Sequence, residues 1–224
     1  MEHACMTTAL IDADLICYRC AASAENEPEE VALIRTDTSM RDLLTLNGFE
    51  EYKAFLTGPN NFRKKVNPEY KANRKDVKLP QWLNTCRDFL VKEWKAEVTD
   101  GYEADDALGM EQTDSTVICS LDKDLKQIPG NHFNWVKNES SYVQEDEGIF
   151  FFFQQLLIGD SSDNIKGIDR IGPKKSQQIL DPFFGDYDGL LQTVRDMYND
   201  DERLEMNGKC LWIWRKKDNI WQLP

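Results

Sequence analysis

The stretch STVICSLDKDL, residues 115 to 125, places a strand-forming segment directly before two carboxylates. Ser115 to Ser120 combines β-branched and apolar residues in a short run, which is typical of a strand buried inside a sheet. Asp122 and Asp124 follow immediately after the end of that strand. Taken alone, the acidic pair fits an ordinary turn as well as it fits a binding site. The neighbouring segments of the chain favour one of these two interpretations.

Strand and helix patterns alternate on both sides of this stretch. Further strands are predicted at Thr8 to Ile11, Tyr52 to Leu56, Ala96 to Thr99 and Phe133 to Val136. Helical periodicity lies between them at Ala13 to Ala24, from the NEPEE cluster to Asn47, from Pro80 to Trp94 and at Tyr102 to Gln112. This alternation predicts an α/β fold with a mainly parallel sheet flanked by helices. From Gly148 onward the pattern is helical, through PKKSQQIL, GLLQTVRDMY and CLWIWR.

Composition places the chain among globular proteins. Of its 224 residues, 41% are hydrophobic and 30% are charged, and no apolar run approaches the roughly 20 residues that span a bilayer. The segment MEHACMTTALIDADL has no basic region before its apolar stretch, so we expect no secretory signal, no membrane association and a cytoplasmic location with reduced cysteines. Cys17 and Cys20 form a CxxC without a second ligand pair, which favours buried thiols over a zinc site.

The net charge of −13 argues against general affinity for nucleic acid, but the basic residues are concentrated. Residues 60–78 carry a net charge of +5. This segment is polar and contains Pro68, so we expect a loop or an exposed helical excursion. Because charges act mainly within a Debye length of about 8 Å at physiological salt, a local basic segment can attract DNA despite the overall charge.

Four acidic clusters occur at strand ends or helix entrances. They are Asp12, then Glu103 with Asp105 and Asp106, then Asp122 with Asp124, and finally Asp160 with Asp163. EADD alone fits helix capping and GDSSDN alone fits a loop. However, ligands bind at the carboxyl ends of the strands in open α/β sheets, and converging carboxylates repel unless cations lie between them. Oxygen ligands suit Mg²⁺ or Mn²⁺, so the four clusters together predict metal binding.

The segment GDSSDNIKGIDRIGPKK, residues 159 to 175, combines carboxylates with features that attract anions. Gly167, Gly172 and Pro173 allow a tight turn into a helix that begins near Pro173. Amides at a helix start bind phosphate oxygens, and Lys174 and Lys175 add positive charge without reading bases. The alternative is an ordinary helical hairpin with solvated lysines.

The ordered motifs ALIDAD, PEYKANRK, YEADDALG, SLDKDLKQI and GDSSDNIKGIDRIGPKK resemble those of the bacterial and bacteriophage 5′→3′ exonuclease (flap endonuclease) family. The phage exonuclease branch is the most similar, through FRKKVNPEYKANRK. The resemblance implies a PIN-like α/β nuclease core at residues 1–147, with a basic arch or gateway at about 60–80. It also implies a helical region at 148–224, with a helix–three-turn–helix DNA-binding motif at about 156–180.

The resemblance also implies roles for individual residues. The implied metal ligands are Asp12, Glu103, Asp105, Asp106, Asp122, Asp124, Asp160 and Asp163, holding two Mg²⁺ or Mn²⁺ ions. The implied catalytic residues are Lys71, Arg74, Asp12, Asp122 and Asp124. The implied DNA-binding residues are Arg63, Lys64, Tyr70, Lys71, Arg74, Lys75, Gly167, Ile168, Gly172, Lys174 and Lys175, with Tyr70 stacking on a base. A K⁺ ion is implied at the helix–three-turn–helix motif.

One position departs from the family pattern. Many members carry an Asp after the second strand, where this chain reads FLTGPNNF and has Gly58. The departure leaves one fewer acidic ligand near Asp12, so that either water replaces the carboxylate or the metal is bound more weakly.

The expected function is metal-dependent hydrolysis of DNA from 5′ ends, in replication and repair, by a 5′→3′ exonuclease or flap endonuclease. We expect a monomer that acts on 5′ ends, flaps or nicks in the cytoplasm, which is the host cytoplasm for a bacteriophage protein, beside a separate DNA polymerase. Three alternatives stay open at this point. One is an RNase of the same fold that acts on RNA or on the RNA strand of a hybrid, and another is a non-catalytic protein that binds DNA structures. The third is an acidic α/β domain whose carboxylates only keep it soluble.

Overall fold

A computed structural model describes residues 8–224 of the chain, and these residues form two compact units. Unit 1 contains residues 8–60, 78–123 and 130–142. Unit 2 contains residues 61–77, 124–129 and 143–224. The basic segment 61–77 therefore belongs to the same compact unit as the helical part of the chain. The domain division at residue 147, inferred from the sequence, remains a prediction.

A six-stranded sheet with the strand order β3-β2-β1-β4-β5-β6 forms the centre of unit 1. The strands are β1 Thr8–Asp12, β2 Glu51–Leu56, β3 Glu97–Val98, β4 Thr116–Cys119, β5 Gly130–Asn134 and β6 Glu139–Val143. β1 pairs in parallel with β2 and β4, which places Ile11 opposite Ala54 on one side and opposite Cys119 on the other. β2 with β3 and β4 with β5 are also parallel. The predicted mainly parallel sheet is thus confirmed, and its central strand is apolar because a parallel sheet is buried on both faces.

Helices α1 Ala13–Ser23, α2 Glu29–Asn47, α4 Leu83–Trp94 and α5 Ala104–Glu111 accompany this sheet. α2 ends where the sequence predicts, because Gly48 adopts the left-handed conformation with φ 69°. α4 begins at Leu83 rather than at Pro80, after a turn in which the Leu83 amide donates to the Pro80 carbonyl. Cys17 and Cys20 lie in the apolar core, and burial raises the pKa of the Cys17 thiol.

Unit 2 is mainly helical. Its elements are α3 Arg63–Val66, α6 Glu145–Ile158, the two-residue strands β7 Gly159–Asp160 and β8 Ile165–Lys166, α7 Pro173–Leu180, α8 Tyr187–Tyr198 and α9 Asp201–Leu211. Short 3₁₀ turns cover Ala72–Arg74, Asp124–Gln127 and Asp181–Phe183. Aromatic rings of the apolar run in α6 form part of its core, where Phe152 lies 4.9 Å from Trp212 and 5.6 Å from Trp221 between ring centroids.

Two predictions about elements are wrong. The segment CLWIWR was expected to be helical, but α9 ends at Leu211 and Trp212 has extended backbone angles. Burial of successive indole rings in the core decides this conformation over helical propensity. The strand expected at Phe133 to Val136 lies instead at Gly130–Asn134, and β6 was missed because Glu139–Val143 is mostly polar and exposed.

Among helices of residues 8–224, none combines the length and apolar character needed to cross a membrane.

Candidate active site

Asp12 occupies the carboxyl end of the central strand β1 and is only 3% exposed. Its side chain caps α1 by accepting from the Leu15 amide at 3.3 Å, and it accepts a hydrogen bond of 2.7 Å from the Ser120 hydroxyl. Burial raises the pKa of Asp12 to about 7. The negative charges of Asp14 and Asp122 add to the rise, whereas the hydrogen bonds from Ser120 and Leu15 oppose it. Asp12 is therefore a buried carboxylate with like charges around it.

Ser120 connects the ends of strands β1 and β4. Its hydroxyl oxygen accepts from the Asp122 amide at 3.0 Å while the hydroxyl donates to Asp12. The parallel register of the two strands places both ends at the same edge of the sheet. Asp122 is exposed there. The expectation that Asp12 and Asp122 approach each other is therefore met by the geometry of unit 1, although their roles as metal ligands stay a prediction.

The acidic cluster of α5 forms a capping box. The Glu103 side chain accepts from the amide of Asp106, and the Asp106 side chain accepts from the Glu103 amide at 3.0 Å. Both residues are buried, whereas Asp105 is partly exposed. The capping interpretation of EADD is confirmed by this geometry. The proposed metal role of these three residues remains a prediction, and a carboxylate can serve a cap and a cation with different oxygens.

Sequence reasoning missed a polar network beside Asp12. Asp14 accepts from Arg87 and, at 2.8 Å, from the Thr57 amide. Arg87 also donates to the Thr57 carbonyl at 2.6 Å, and the Thr57 hydroxyl accepts from the Ala104 amide at the start of α5 at 3.0 Å. This network fixes the ends of β2 and α5. The second carboxylate of the IDAD motif was the signal that could have identified it.

Gly58 lies where the strand-end loop meets the backbone of Thr99. A Cβ atom at Gly58 would stand 1.9 Å from the Thr99 carbonyl oxygen, which is far inside van der Waals contact. The Gly58 amide also lies 3.3 Å from the Thr99 hydroxyl oxygen, to which it donates. No side chain fits here without backbone movement, so the acidic residue that many family members carry has no place in this loop. The backbone of this loop therefore requires glycine at position 58, and an acidic side chain cannot be accommodated there.

In unit 2, Asp160 ends β7 and Asp163 lies in the turn between β7 and β8. Asp160 is 6% exposed, and its Oδ1 accepts from the amide and the hydroxyl of Ser162 at 2.7 and 2.6 Å. The Asp163 amide lies 3.4 Å from the same oxygen. Asp160 therefore organises the turn that presents Asp163, which explains why the two carboxylates occur three residues apart.

The basic segment contacts Asp163 directly. The Tyr70 hydroxyl and Arg74 Nη2 each lie 2.7 Å from an Asp163 carboxylate oxygen. Lys71 Nζ lies 3.7 Å from Asp163 Oδ2, and the Lys71 amide donates to the Asp163 carbonyl at 2.9 Å. Lys71 and Arg74, the two proposed catalytic cations, are thus gathered around one proposed metal ligand.

Two predicted DNA contacts do not fit this structure. Arg63 is 2% exposed, and its guanidinium donates to the carbonyls of Cys210 and Trp212 at 2.8 and 2.7 Å. Those bonds anchor the basic segment to the end of α9, so the prediction that Arg63 contacts DNA is wrong here. The Tyr70 ring is 3% exposed, so it has no free face for stacking on a base. Lys64 and Lys75 are exposed, as DNA contact requires.

Asp124 is the first residue of the 3₁₀ turn Asp124–Gln127, and its carboxylate accepts a hydrogen bond from the side-chain amide of a buried glutamine. Gln155 Nε2 donates to Asp124 Oδ1 at 2.9 Å, and Gln127 Nε2 donates to Gln155 Oε1 at 2.7 Å. Gln155 lies on α6 and was also missed by sequence reasoning. Two polar residues inside the longest apolar run of the chain, FFFFQQLL, were the available signal.

The segment from α6 to α7 has the geometry of a backbone-lined turn. A Cβ at Gly167 would lie 2.4 Å from the Gly159 amide nitrogen, so the β7–β8 hairpin closes only with glycine there. The Ile168 amide donates to the Leu157 carbonyl at 2.8 Å. Gly172 is the N-cap of α7 with Pro173 at its first position, as predicted, and Lys174 and Lys175 are exposed beside it.

Carbonyl groups of this turn already accept hydrogen bonds. Arg203 and Asn207 each donate to the Lys166 carbonyl at 3.0 Å, and Arg203 also donates to the Gly167 carbonyl. Asn207 in turn donates to the hydroxyl of Tyr198 at 2.9 Å. The K⁺ ion predicted at this motif would therefore need oxygens that share their lone pairs with these donors.

The donor chemistry fits hard divalent cations. Within residues 8–224 no three His, Cys, Asp or Glu side chains are gathered closely enough to hold a metal ion by themselves. Mg²⁺ is ordinarily bound by one or two carboxylates together with waters and substrate phosphates. A buried carboxylate with like charges beside it, as at Asp12, suits that kind of coordination.

A family model described as "5'-3' exonuclease, N-terminal resolvase-like domain" matches residues 7–151. The chain belongs to the 5'-3' exonuclease family. A 5'-3' exonuclease of Buchnera aphidicola subsp. Schizaphis graminum is 30% identical over 169 residues, covering 67% of this chain and 56% of that protein. The exonuclease of Escherichia phage T7 is 32% identical over 139 residues, covering 57% and 46%. The chain thus matches about half the length of these two curated relatives.

Solved structures support the fold. The T5 D15 protein co-crystallised with metal ions has a TM-score of 0.72 at 16% identity, covering 90% of this chain and 87% of that one. A pseudo-enzyme-product complex of the bacteriophage T5 D15 flap endonuclease with DNA and metal ions has a TM-score of 0.68 at 17% identity, covering 90% and 87%. At this identity the likeness establishes the α/β architecture that family membership implies.

Proposed function

We propose that this chain is a metal-dependent 5′→3′ exonuclease and structure-specific flap endonuclease, which hydrolyses DNA phosphodiester bonds from 5′ ends. Family membership supports the proposal, and the surroundings of Asp12 carry it. A buried carboxylate whose pKa is raised to about 7, partly by the charges of Asp14 and Asp122, is costly to ionise without a cation. Placing such a group at the carboxyl end of the central strand is expected for a metal-dependent active site.

The cofactor that we propose is a pair of Mg²⁺ or Mn²⁺ ions. The proposed ligands are Asp12, Glu103, Asp105, Asp106 and Asp122 from unit 1, and Asp124, Asp160 and Asp163 from unit 2. Bound divalent ions would supply a water of lowered pKa and stabilise charge on the scissile phosphate. The metal-bound T5 structures support this assignment through their shared fold.

The remaining steps belong to side chains of the chain itself. Ser120 holds Asp12 by donating to its carboxylate, and that hydrogen bond favours the ionised form that a cation requires. Lys71 and Arg74 would donate to non-bridging phosphate oxygens as negative charge builds on them. Lys174, Lys175 and the amides that begin α7 would hold the duplex backbone without regard to sequence.

We further propose that the protein acts as a monomer on DNA 5′ ends, flaps and nicks in the cytoplasm, or in the host cytoplasm if it is encoded by a bacteriophage. A role in replication or repair beside a separate DNA polymerase is supported by a DNA polymerase I of Rhizobium leguminosarum. That protein is 32% identical over 154 residues, a match that covers 15% of its length. K⁺ at the β8–α7 turn is part of the same proposal.

The test is product analysis on 5′-labelled flap, nicked and blunt duplexes and on an RNA–DNA hybrid, with Mg²⁺ and with Mn²⁺. We expect Asp122→Asn to lower the cleavage rate by about 10³-fold, because a developing charge loses its electrostatic support. Asp114→Asn is the matched control, since Asp114 is exposed and precedes the opposite end of the same strand β4. Near-normal cleavage by Asp122→Asn, or equal loss in the control, would refute the proposal. Stronger cutting of the hybrid would favour the RNase alternative.

A further inference from the structure

Two segments of unit 2 that are distant in sequence are joined by several hydrogen bonds. We call Glu69–Arg74 the basic strap and Ser161–Asn164 the acidic loop. Apart from contacts to the Asp163 carboxylate, four bonds join them. They are Asn164 Nδ2 to the Glu69 carbonyl at 2.8 Å, Asn73 Nδ2 to the Ser161 carbonyl at 2.8 Å, Arg74 Nε to the Ser162 carbonyl at 2.9 Å and the Lys71 amide to the Asp163 carbonyl at 2.9 Å.

The Asp163 carboxylate lies at the centre of this junction, with a side chain that is 17% exposed. Arg74 Nη2 donates to Oδ1, and the Tyr70 hydroxyl donates to Oδ2, which also faces Lys71 Nζ at 3.7 Å. Both carboxylate oxygens therefore have cationic or hydroxyl partners from the strap. A divalent cation that uses Asp163 shares the carboxylate lone pairs with these partners and lies close to the positive charge of Arg74, so the two cations compete for the carboxylate.

We propose that Arg74 competes with a divalent cation for Asp163, and that a DNA phosphate removes this competition by taking the guanidinium. The inference rests on the proposed function, since it concerns the metal and the phosphate of the same site. Phosphate oxygens bind guanidinium groups through the same planar donors that carboxylates use. Metal binding at Asp163 and DNA binding at the strap are therefore coupled, and each raises the affinity for the other.

The other members of the junction keep the acidic loop in place when Arg74 leaves. Tyr70 is buried, so its hydroxyl remains beside Asp163, and the amide of Lys71 holds the loop through the main chain. Arg74 is different, because its side chain is 49% exposed and can rotate towards solvent. Partly exposed ion pairs of this kind change binding equilibria by roughly two- to fivefold. The ion pair between Arg74 and Asp163 thus lowers the affinity for metal moderately and does not block the site.

The first experiment is a Mn²⁺ titration of the protein without DNA, followed by the electron paramagnetic resonance signal of free Mn²⁺. The relevant binding step is the one that Asp163→Asn removes. We expect Arg74→Gln to tighten that step by about two- to fivefold. Lys65→Ala is the matched control, because it removes one positive charge from an exposed position of the same basic segment, and we expect no such change. In an Asp163→Asn background, Arg74→Gln should have no effect on Mn²⁺ binding.

The second experiment measures the coupling from the DNA side. Fluorescence anisotropy gives the affinity for a labelled flap duplex with an uncleavable scissile linkage, with and without Mn²⁺. The gain in affinity that Mn²⁺ produces should be smaller in Arg74→Gln than in the wild type, and unchanged in Lys65→Ala.

Unchanged or weaker Mn²⁺ binding by Arg74→Gln would overturn the inference, as would equal tightening in Lys65→Ala or in the Asp163→Asn background. If the wild type still cuts DNA with Mn²⁺ in that case, only this inference fails and the proposed function stands. A wild type that neither binds Mn²⁺ nor cuts any 5′-ended duplex would refute both.

Discussion

Asp12 in unit 1 and Asp163 in unit 2 are both proposed metal ligands, but their surroundings have opposite charge. Asp12 is buried with the carboxylates Asp14 and Asp122 near it, and its pKa is raised to about 7. Asp163 is in contact with the hydroxyl of Tyr70 and with the cationic side chains of Lys71 and Arg74. The first carboxylate is destabilised in its ionised form, whereas the second is neutralised by the protein itself.

Because of this difference, a bound cation would have a different electrostatic effect on the carboxylate in each unit. In unit 1 a cation relieves repulsion and desolvation, so its binding stabilises the ionised form of Asp12. In unit 2 a cation replaces an existing ion pair, so much of the favourable energy is already present without it. We therefore expect metal binding at Asp163 to depend on bound substrate more strongly than metal binding at Asp12 does.

The largest expected effect comes from adding a carboxylate to unit 1 at Gly58. A side chain there would meet the Thr99 carbonyl oxygen at 1.9 Å, so Gly58→Asp should lower the free energy of unfolding by about 3 kcal/mol and should not tighten Mn²⁺ binding. Urea denaturation measures the first quantity. Gly172→Ala is the control, because a Cβ at Gly172 meets no atom within 4 Å. A well-folded Gly58→Asp protein with tighter Mn²⁺ binding would show that unit 1 can accept another ligand.

The next effect concerns the dependence of stability on pH. The folded pKa of Asp12, about 7, lies above its ordinary value of 3.8, so the folded protein binds more protons between these values than the unfolded chain does. Stability without metal should therefore fall as pH rises from about 4 to 7. Asp12→Asn should remove that fall and be more stable than the wild type at pH 8, because the amide carries no charge to bury.

Unfolding in urea with a chelator, at pH 5 and pH 8, checks this prediction. Asp114→Asn, which changes an exposed carboxylate in the same unit, should leave the pH dependence of the wild type intact. If the free energy of unfolding changed with pH in the same way in the wild type and in Asp12→Asn, ionisation of Asp12 would carry no energetic cost in the folded protein. The proposed difference in charge environment between Asp12 and Asp163 would then be refuted.

The smallest effect is expected at the junction around Asp163. Tyr70→Phe removes the hydroxyl that donates to the carboxylate but keeps the buried ring, and it should lower the free energy of unfolding by about 1 kcal/mol. Urea denaturation at pH 7 gives the value. Tyr18→Phe, at a residue that is 45% exposed, provides the comparison and should change stability little. Equal stability of the wild type and Tyr70→Phe would show that the hydrogen bond from the Tyr70 hydroxyl contributes nothing to the free energy of unfolding.

Local patterns in the sequence predicted most of the elements correctly. The strands before Asp12 and Asp122, the helix stop at Gly48 and the helix start at Pro173 all depend on neighbouring residues. The CLWIWR segment was predicted wrongly, because burial of its indole rings depends on distant residues, and β6 was missed because its residues are mostly polar and exposed. Propensity is a weak guide wherever tertiary packing decides.

The sequence by itself determined most of the strands and helices along the chain, the positions of the acidic clusters at their ends and the family. Only the tertiary structure decided which side chains are buried, which charges are paired and which pKa values are shifted. Arg63 donates to carbonyls 147 and 149 residues away, and Asp163 meets Arg74 across 89 residues. Burial, charge pairing and a raised pKa arise from which remote groups come together, and a local pattern in the chain does not contain that information.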